Sequence, residues 1–384
     1  MVVGEYSADG VKAALSTTGK AHKKKARRTI GPVSDRTGLV PEQVSYSLES
    51  ATAAPKNAPT VVIAPPAALE KLEKNTSYVV IADALTALKH LPDGCIRTCV
   101  TSPPYWGLRD YGIPGQIGIE MELNEYLDKL VAVFEEVKRV LTPDGTLWLN
   151  IGDGYTSGGR TYRAPDKKTD NGFVVRGLPF RPPTPPGLKP KDLLGLPWRL
   201  AFRLQENGWY LRADIIWYKP NILPESVKDR PTIAHEYIFL LSKNERYYYD
   251  YQAICEPTAS GKGVRNKRSV WSVNTEPLSE KHFAAFPVSL ITPCIKAGSQ
   301  PGDFVLDPFL GSGTTGLAAL KLSRNFIGIE LNPEYGAMAA KRLAREARIV
   351  RLQEDGGSSA HAVFAGEAVM DAEAPSIGAR IDST

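Results

Sequence analysis

At 384 residues, 42% hydrophobic and 23% charged, the chain has the composition of a soluble globular protein with core enough for one large or two ordinary domains. A formal net charge of +5 is compatible with a polyanionic partner without demanding one. No apolar run reaches the length of a membrane span and no apolar signal core opens the chain, so a cytoplasmic protein is expected. Four cysteines (Cys95, Cys99, Cys255, Cys294) without a CxxC pair, and only five histidines, argue against a disulfide framework or a structural zinc site, and no metal is expected.

Residues 1–75 are rich in Ala, Ser, Thr, Pro and Lys, and read as a disordered or loosely ordered basic extension. Its cluster His22-Lys23-Lys24-Lys25-Ala26-Arg27-Arg28 is either a solvated charge run or a phosphate-binding arm. A catalytic domain is expected over 76–350. Residues 78–82 form a short apolar strand ending at Asp83, residues 85–91 have helical spacing, and 95–100 read as a buried strand. Leu127, Leu130, Val131, Phe134, Val137 and Leu141 make one apolar stripe on a helix over 124–141, which Pro143-Asp144-Gly145 should stop before a strand at 146–151. Residues 155–190, with their glycines, prolines and scattered cations, are too long for a connector and read as a mobile basic insert. A helix over 193–207 precedes strands at 210–218 and 236–242, with 247–249 as a further hairpin strand. Residues 245–275 are polar and basic. A strand at 304–307, a helix at 314–322, a strand at 325–330 and a helix at 335–348 follow, and 351–384 read as a disordered tail. Strands alternating with helices predict an α/β protein with a mostly parallel sheet.

Two stretches carry chemistry. Ser102-Pro103-Pro104 ends the strand at 95–100 abruptly, because two prolines fix φ and remove two backbone donors. Their carbonyls then lie at a strand's carboxyl end, where open α/β sheets bind ligands. Tyr105 and Trp106 add aromatic faces. Either this is a plain strand-ending turn with two core aromatics, or it is a cradle for a flat heterocycle bearing an amino group. The second stretch is Asp307-Pro308-Phe309-Leu310-Gly311-Ser312-Gly313-Thr314-Thr315, between a strand and a helix. Gly311 and Gly313 permit a tight turn and close ligand approach, and the helix start offers unpaired N–H groups. It lacks the lysine of a triphosphate-binding loop. Glu330 ends the next strand 23 residues after Asp307, close to the spacing of roughly 20 at which an acid binds ribose hydroxyls. Together these point to an adenosine-containing ligand without a triphosphate.

On these two motifs the chain resembles the S-adenosylmethionine-dependent DNA amino-methyltransferases of the beta group, over roughly 77–345. The resemblance implies a Rossmann-like methyltransferase fold with helices on both faces, a circularly permuted motif order with the catalytic turn before the cofactor loop, and an inserted DNA-recognition region. It implies that Ser102, Pro103, Pro104 and Tyr105 hold the reacting base, with the Ser102 hydroxyl and Pro103 carbonyl accepting from its amino group. S-Adenosylmethionine would be held by Asp83, Thr101, Asp307, Phe309, Gly311, Gly313, Thr314, Thr315 and Glu330, and by Phe286 in a helix-entry motif over 282–290. The partner implied is double-stranded DNA, faced by Arg160, Arg163, Lys167 and Lys168 of the insert and by Lys262, Arg265, Lys267 and Arg268 of a target-recognition region over 245–275. A cognate restriction endonuclease and a homodimer are further expectations. Ser102 at the head of the turn favours cytosine N4 as target over adenine N6, and an RNA or protein methyltransferase is the same-fold alternative. Cys294 reads as a core residue, not a nucleophile.

Overall fold

The computed structural model describes residues 60–157, 182–222, 224–276 and 286–354. In chain order the strands and helices are β1 (Thr60–Ala64), β2 (Thr76–Ile81), α1 (Ala84–Leu88), β3 (Ile96–Thr101), α2 (Leu123–Val140), β4 (Leu141–Ile151), α3 (Leu196–Glu206), β5 (Tyr210–Tyr218), β6 (His235–Ser242), β7 (Glu256–Pro257), β8 (Val264–Arg265), β9 (Val270–Ser272), α4 (Val288–Gly298), β10 (Phe304–Asp307), α5 (Thr314–Lys321), β11 (Asn325–Glu330) and α6 (Pro333–Glu354).

The described residues form a nine-stranded sheet in the order β1-β2-β11-β10-β3-β4-β6-β5-β9. Every pairing is parallel except the two made by β6, which runs against both β4 and β5. Side chains alternate across a strand, and here both sides are apolar. Tyr78, Val80, Cys99 and Leu306 pack toward Leu127, Leu130, Phe134 and Leu200 of α2 and α3. Val79, Val100 and Val305 point the other way, toward Leu290, Ile291, Cys294, Leu317 and Leu343 of α4, α5 and α6. A sheet covered on both faces explains why its strands read as continuous apolar runs. Of the expected α2 stripe, Leu127, Leu130, Phe134 and Val137 are buried at helical spacing, whereas Val131 is half-buried and Leu141 opens β4; Leu123, Tyr126, Val133 and Val140 complete the buried face. Glu125 in its first turn and Lys138 and Arg139 in its last complement the helix dipole.

The site is placed by the point where the chain reverses its direction of travel across the sheet. β10 and β3 are neighbours, with Val305 opposite Thr98 and Leu306 opposite Cys99. From β3 the chain goes through α2 to β4 on one side, and from β10 through α5 to β11 on the other. The loops leaving these two strands therefore part at their carboxyl ends and leave a crevice.

Four expectations need correction. Order starts before residue 76: β1 pairs in register with β2, and Leu69 just after it is fully buried. An edge strand needs only one partner, so the five residues of β1 hold within a polar, alanine-rich stretch. Pro143-Asp144-Gly145 does not separate helix from strand. The helix ends at Val140 and β4 begins at once, with these residues bulged between the pairs Ile96–Leu141 and Thr98–Thr146. Residues 247–249 are not a hairpin strand, because β5 and β6 pair with each other. Tyr249 instead stacks on Trp148 at 6.3 Å between ring centroids. Finally, part of 245–275 belongs to the sheet: β9 pairs with β5 and buries Trp271, whose indole N–H donates to the Arg268 carbonyl.

Candidate functional site

β3 delivers Thr101 to the rim of the crevice, and β10 delivers Asp307 beside it. The Thr101 hydroxyl donates to Asp307 Oδ1 at 2.6 Å, the Thr315 hydroxyl donates to Oδ2 at 2.7 Å, and the Phe309 N–H donates to Oδ1 at 3.1 Å. Burial pushes the Asp307 carboxyl up to about 6, while these donors pull against the shift. Thr101, Asp307 and Thr315 thus form one buried knot that ties the proline turn to the glycine turn. The side-chain oxygens of all three bond within this knot. Phe309 sits edge-on to Phe134 at 6.4 Å and joins the core beneath the turn, and Phe286 lies in the core of the opposite face.

The glycine turn is built for close approach. Gly311 (φ +52°) and Gly313 (φ +81°) hold left-handed backbone that a side chain would strain. Gly313 is the residue from which α5 starts, and Arg342 of α6 secures the turn by donating to the Ser312 carbonyl at 2.9 Å. Buried Thr314 faces the Ser312 hydroxyl at 3.4 Å. Glu330 closes the turn from β11. Its Oε2 accepts the Gly311 N–H at 2.8 Å and its Oε1 the Asn332 N–H at 2.9 Å. Burial raises the Glu330 carboxyl to about 7 against those two donors. Asp83 follows β2 on the same rim, caps α1 by accepting the Thr86 N–H at 2.9 Å, and adjoins Ala82, whose N–H donates to the Glu330 carbonyl. Tyr111 and Tyr335 stand edge to face at 6.0 Å beside Glu330, a pair not anticipated from the sequence.

The proline turn is held from several sides. Tyr126 of α2 donates to the Pro104 carbonyl at 2.9 Å, and the Trp106 indole donates to the Glu120 carbonyl at 2.9 Å. Gly107 N–H to the Gly118 carbonyl at 2.8 Å closes the loop that follows. Among the described residues the Pro103 carbonyl accepts no hydrogen bond, so it is available to an incoming N–H. Tyr105 donates its phenol to Glu236 Oε2 at 2.9 Å, and burial, reinforced by the Glu236 charge, raises that phenol well above its ordinary value. Glu236 also pairs with Lys219 and accepts from Asn150 at 3.2 Å. Neither Glu236 nor Lys219 was picked out from the sequence. The available signal was a carboxylate opening the apolar run of β6, where a charge needs a partner.

The expected DNA-facing cations divide. Arg160, Arg163, Lys167 and Lys168 lie outside the described residues. The two ends of their segment are fastened together: Thr156 N–H donates to the Asp192 carbonyl at 2.9 Å and Ser157 to the Pro182 carbonyl at 3.3 Å. Lys262 is exposed in the turn between β7 and β8. Arg265 and Arg268 both donate to Glu256 Oε1, at 3.1 and 2.8 Å, and the hydrogen bond from Arg268 leads in holding the Glu256 carboxyl below its ordinary range. Lys267 lies over the Trp271 ring at 5.1 Å. Cys294 is fully buried, and burial raises its thiol, as suits a core residue.

The crevice carries the proline turn on one rim and the glycine turn on the other, at the switch point of a doubly wound α/β sheet. The comparisons narrow the class. A family model described as DNA methylase, for N6 and N4 methyltransferases, matches residues 96–341, and the chain belongs to that family. It is 57% identical over 301 residues to the type II methyltransferase M.XycI of Xanthomonas campestris pv. cyanopsidis, covering 77% of this chain and 99% of that one. It is 58% identical over 284 residues to M.Cfr9I of Citrobacter freundii, covering 74% and 93%. Among solved structures, the PvuII DNA methyltransferase (cytosine-N4-specific) superposes with a TM-score of 0.51 at 21% identity over 77% of this chain and 96% of that one, a likeness of fold. The protein is a DNA methyltransferase, and S-adenosylmethionine is its cofactor. The residues present fit that cofactor. Glu330 offers a carboxylate for adjacent hydroxyls, the left-handed Gly311 and Gly313 leave room for close approach, and the turn carries no lysine for a triphosphate.

Proposed function

We propose that this enzyme methylates the exocyclic N4 of a cytosine extruded from a specific duplex site. The observation that carries the proposal is the Ser102-Pro103-Pro104-Tyr105 turn at the end of β3, joined to the glycine turn through the 2.6 Å contact of Thr101 with Asp307. An amine inside a duplex is out of reach, so the base is taken from the stack and held by its edge. The Ser102 hydroxyl and Pro103 carbonyl accept its two amino hydrogens, which aims the nitrogen lone pair toward the glycine turn. Tyr105 walls the ring. S-Adenosylmethionine, when bound, supplies an electrophilic methyl group on a sulfonium. The Ser102 hydroxyl and Pro103 carbonyl would hold the nitrogen in line with that methyl group, and the proton the amine gives up on methylation would leave past Ser102 to solvent water. This chemistry needs alignment of two reactants and no covalent base adduct.

Ser102 supports cytosine N4 through the resemblance of the turn, and adenine N6 presents the same amine to the same acceptors. Relatives named type II methyltransferases support a cognate restriction endonuclease as the partner activity, and a cytoplasmic homodimer is the assembly proposed with it. DNA contact is assigned to Lys262 and, with it, to Arg265, Lys267, Arg268 and the cations of the 155–190 segment. Duplex DNA treated with enzyme and cofactor, hydrolysed and resolved by mass spectrometry should yield N4-methylcytosine. N6-methyladenine alone would overturn the target base, and no methylated nucleoside would overturn the activity.

A further inference from the structure

The two carboxylates of the crevice differ in what they touch. Asp307 is spent on Thr101, Thr315 and the Phe309 N–H. Glu236 reaches the proline turn itself. It sits at the amino end of β6, which runs against its neighbours, so its side chain arrives at the same end of the sheet as the loop leaving β3. Opposite it on β5 is Trp217, and the next residue but one, Lys219, pairs with Glu236 Oε1 while lying over the Trp217 ring at 4.1 Å. Asn150, near the end of β4, donates to Glu236 Oε2 at 3.2 Å and to the Tyr237 carbonyl at 3.1 Å. Both members of the ion pair are largely withdrawn from water, at 16% and 17% side-chain exposure. Removing two such charges from water is costly, and a buried pair is weak evidence for stability. Oε2 also accepts the Tyr105 phenol. Gly152 lets the two approach: a Cβ there would lie 2.9 Å from the Tyr105 ring and 3.2 Å from the Glu236 carboxyl carbon.

We propose that Glu236, held by Lys219 and Asn150, is a positioning residue that fixes the Tyr105 ring at the angle required to wall the extruded base. Three segments converge on it: the residue just past β5 through Lys219, β4 through Asn150, and β6 through Glu236 itself. Tyr105 has one flexible torsion about its ring axis and one that swings the ring. The hydroxyl contact at the far end of the ring stops the swing, which the adjacent prolines alone do not. The inference rests on the reading of the proline turn as the base-holding element.

The test is a double-mutant cycle on duplex substrate with Glu236→Ala, Tyr105→Phe and the pair. Tyr105→Phe removes one hydroxyl and leaves the ion pair whole, so it keeps the test valid if Glu236→Ala folds poorly. Each variant is assayed for kcat, for KM toward DNA, for calorimetric affinity for S-adenosylmethionine, and for fluorescence of 2-aminopurine at the target position. Each single variant is expected to lose at least tenfold in kcat with cofactor affinity within twofold of wild type, and the pair to be no slower than the slower single. The bound 2-aminopurine signal should differ from that of the wild-type complex, because the wall beside the base has moved. Additive losses, a Tyr105→Phe kcat within twofold of wild type, or a parallel fall in cofactor affinity would overturn the inference. A wild-type enzyme that methylates no DNA would instead overturn the functional reading.

Discussion

Thr101 and Asp307 stand 206 positions apart in the chain and 2.6 Å apart in the fold. Their contact joins the proline turn that follows β3 to the glycine turn that follows β10. Asp307→Ala would strand the buried Thr101 hydroxyl and the Phe309 N–H, while the Thr315 hydroxyl keeps the Val100 carbonyl at 3.2 Å. Each unsatisfied buried donor costs about 1–3 kcal/mol, so a stability loss of about 3 kcal/mol is expected by denaturant titration, together with loss of methyl transfer. A variant as stable as wild type would show that the knot does not hold the two turns together.

Glu330 predicts a pH dependence. Its folded carboxyl is raised from 4.5 to about 7, so the folded chain binds that proton more tightly than the unfolded chain. The resulting stability is present in full below about pH 4.5 and is lost as pH rises through about 7. Asp307, raised to about 6, acts in the same direction. Cofactor affinity should run the opposite way, strengthening between pH 6 and 8 as Glu330 ionises and accepts ribose hydroxyls. Calorimetry on Glu330→Ala should show affinity weakened by about 1–3 kcal/mol and a flat pH profile over that range. A profile matching wild type would remove Glu330 from the cofactor site.

Gly152→Ala places a methyl group against Tyr105 and Glu236 at 2.9 and 3.2 Å. Overpacking of this kind costs about 1–3 kcal/mol. The expected outcome is a fall in kcat with unchanged cofactor affinity, because the glycine turn lies on different strands. Steady-state kinetics beside calorimetry read both, and a variant that lost only cofactor affinity would contradict the placement.

Lys262 is the exposed cation of the β7–β8 turn, whereas Arg265 and Arg268 share Glu256. Lys262→Gln should shallow the slope of log affinity against log salt by about 0.9, the counterion release of one phosphate contact. Arg268→Ala should shallow it less, since Glu256 already offsets part of the Arg268 charge. An unaltered slope in Lys262→Gln would place the hairpin away from the duplex.

The elements that local chemistry specifies were legible from residue order alone. Proline pairs cannot continue a ladder, so Ser102-Pro103-Pro104 had to end β3. Glycine is the residue for left-handed backbone, so Gly311 and Gly313 had to mark a turn, and the buried face of α2 follows from 3.6-residue spacing. Both site motifs and their family could therefore be read from the sequence. What needed the tertiary structure were facts about which strand lies beside which. β3 neighbours β10, which brings the Thr101 hydroxyl to Asp307 across 206 positions and makes it, with that of Thr315, a support for the buried carboxyl. β6 enters against its neighbours, which brings Glu236 to Tyr105 from 131 positions away. β1 is ordered because β2 is there to pair with it, and Arg265 and Arg268 meet Glu256 because β7 and β8 fold back on each other. Local propensity sets how each segment is built, but the partner of a buried charge or an edge strand is chosen by long-range packing, and no spacing along the chain records that choice.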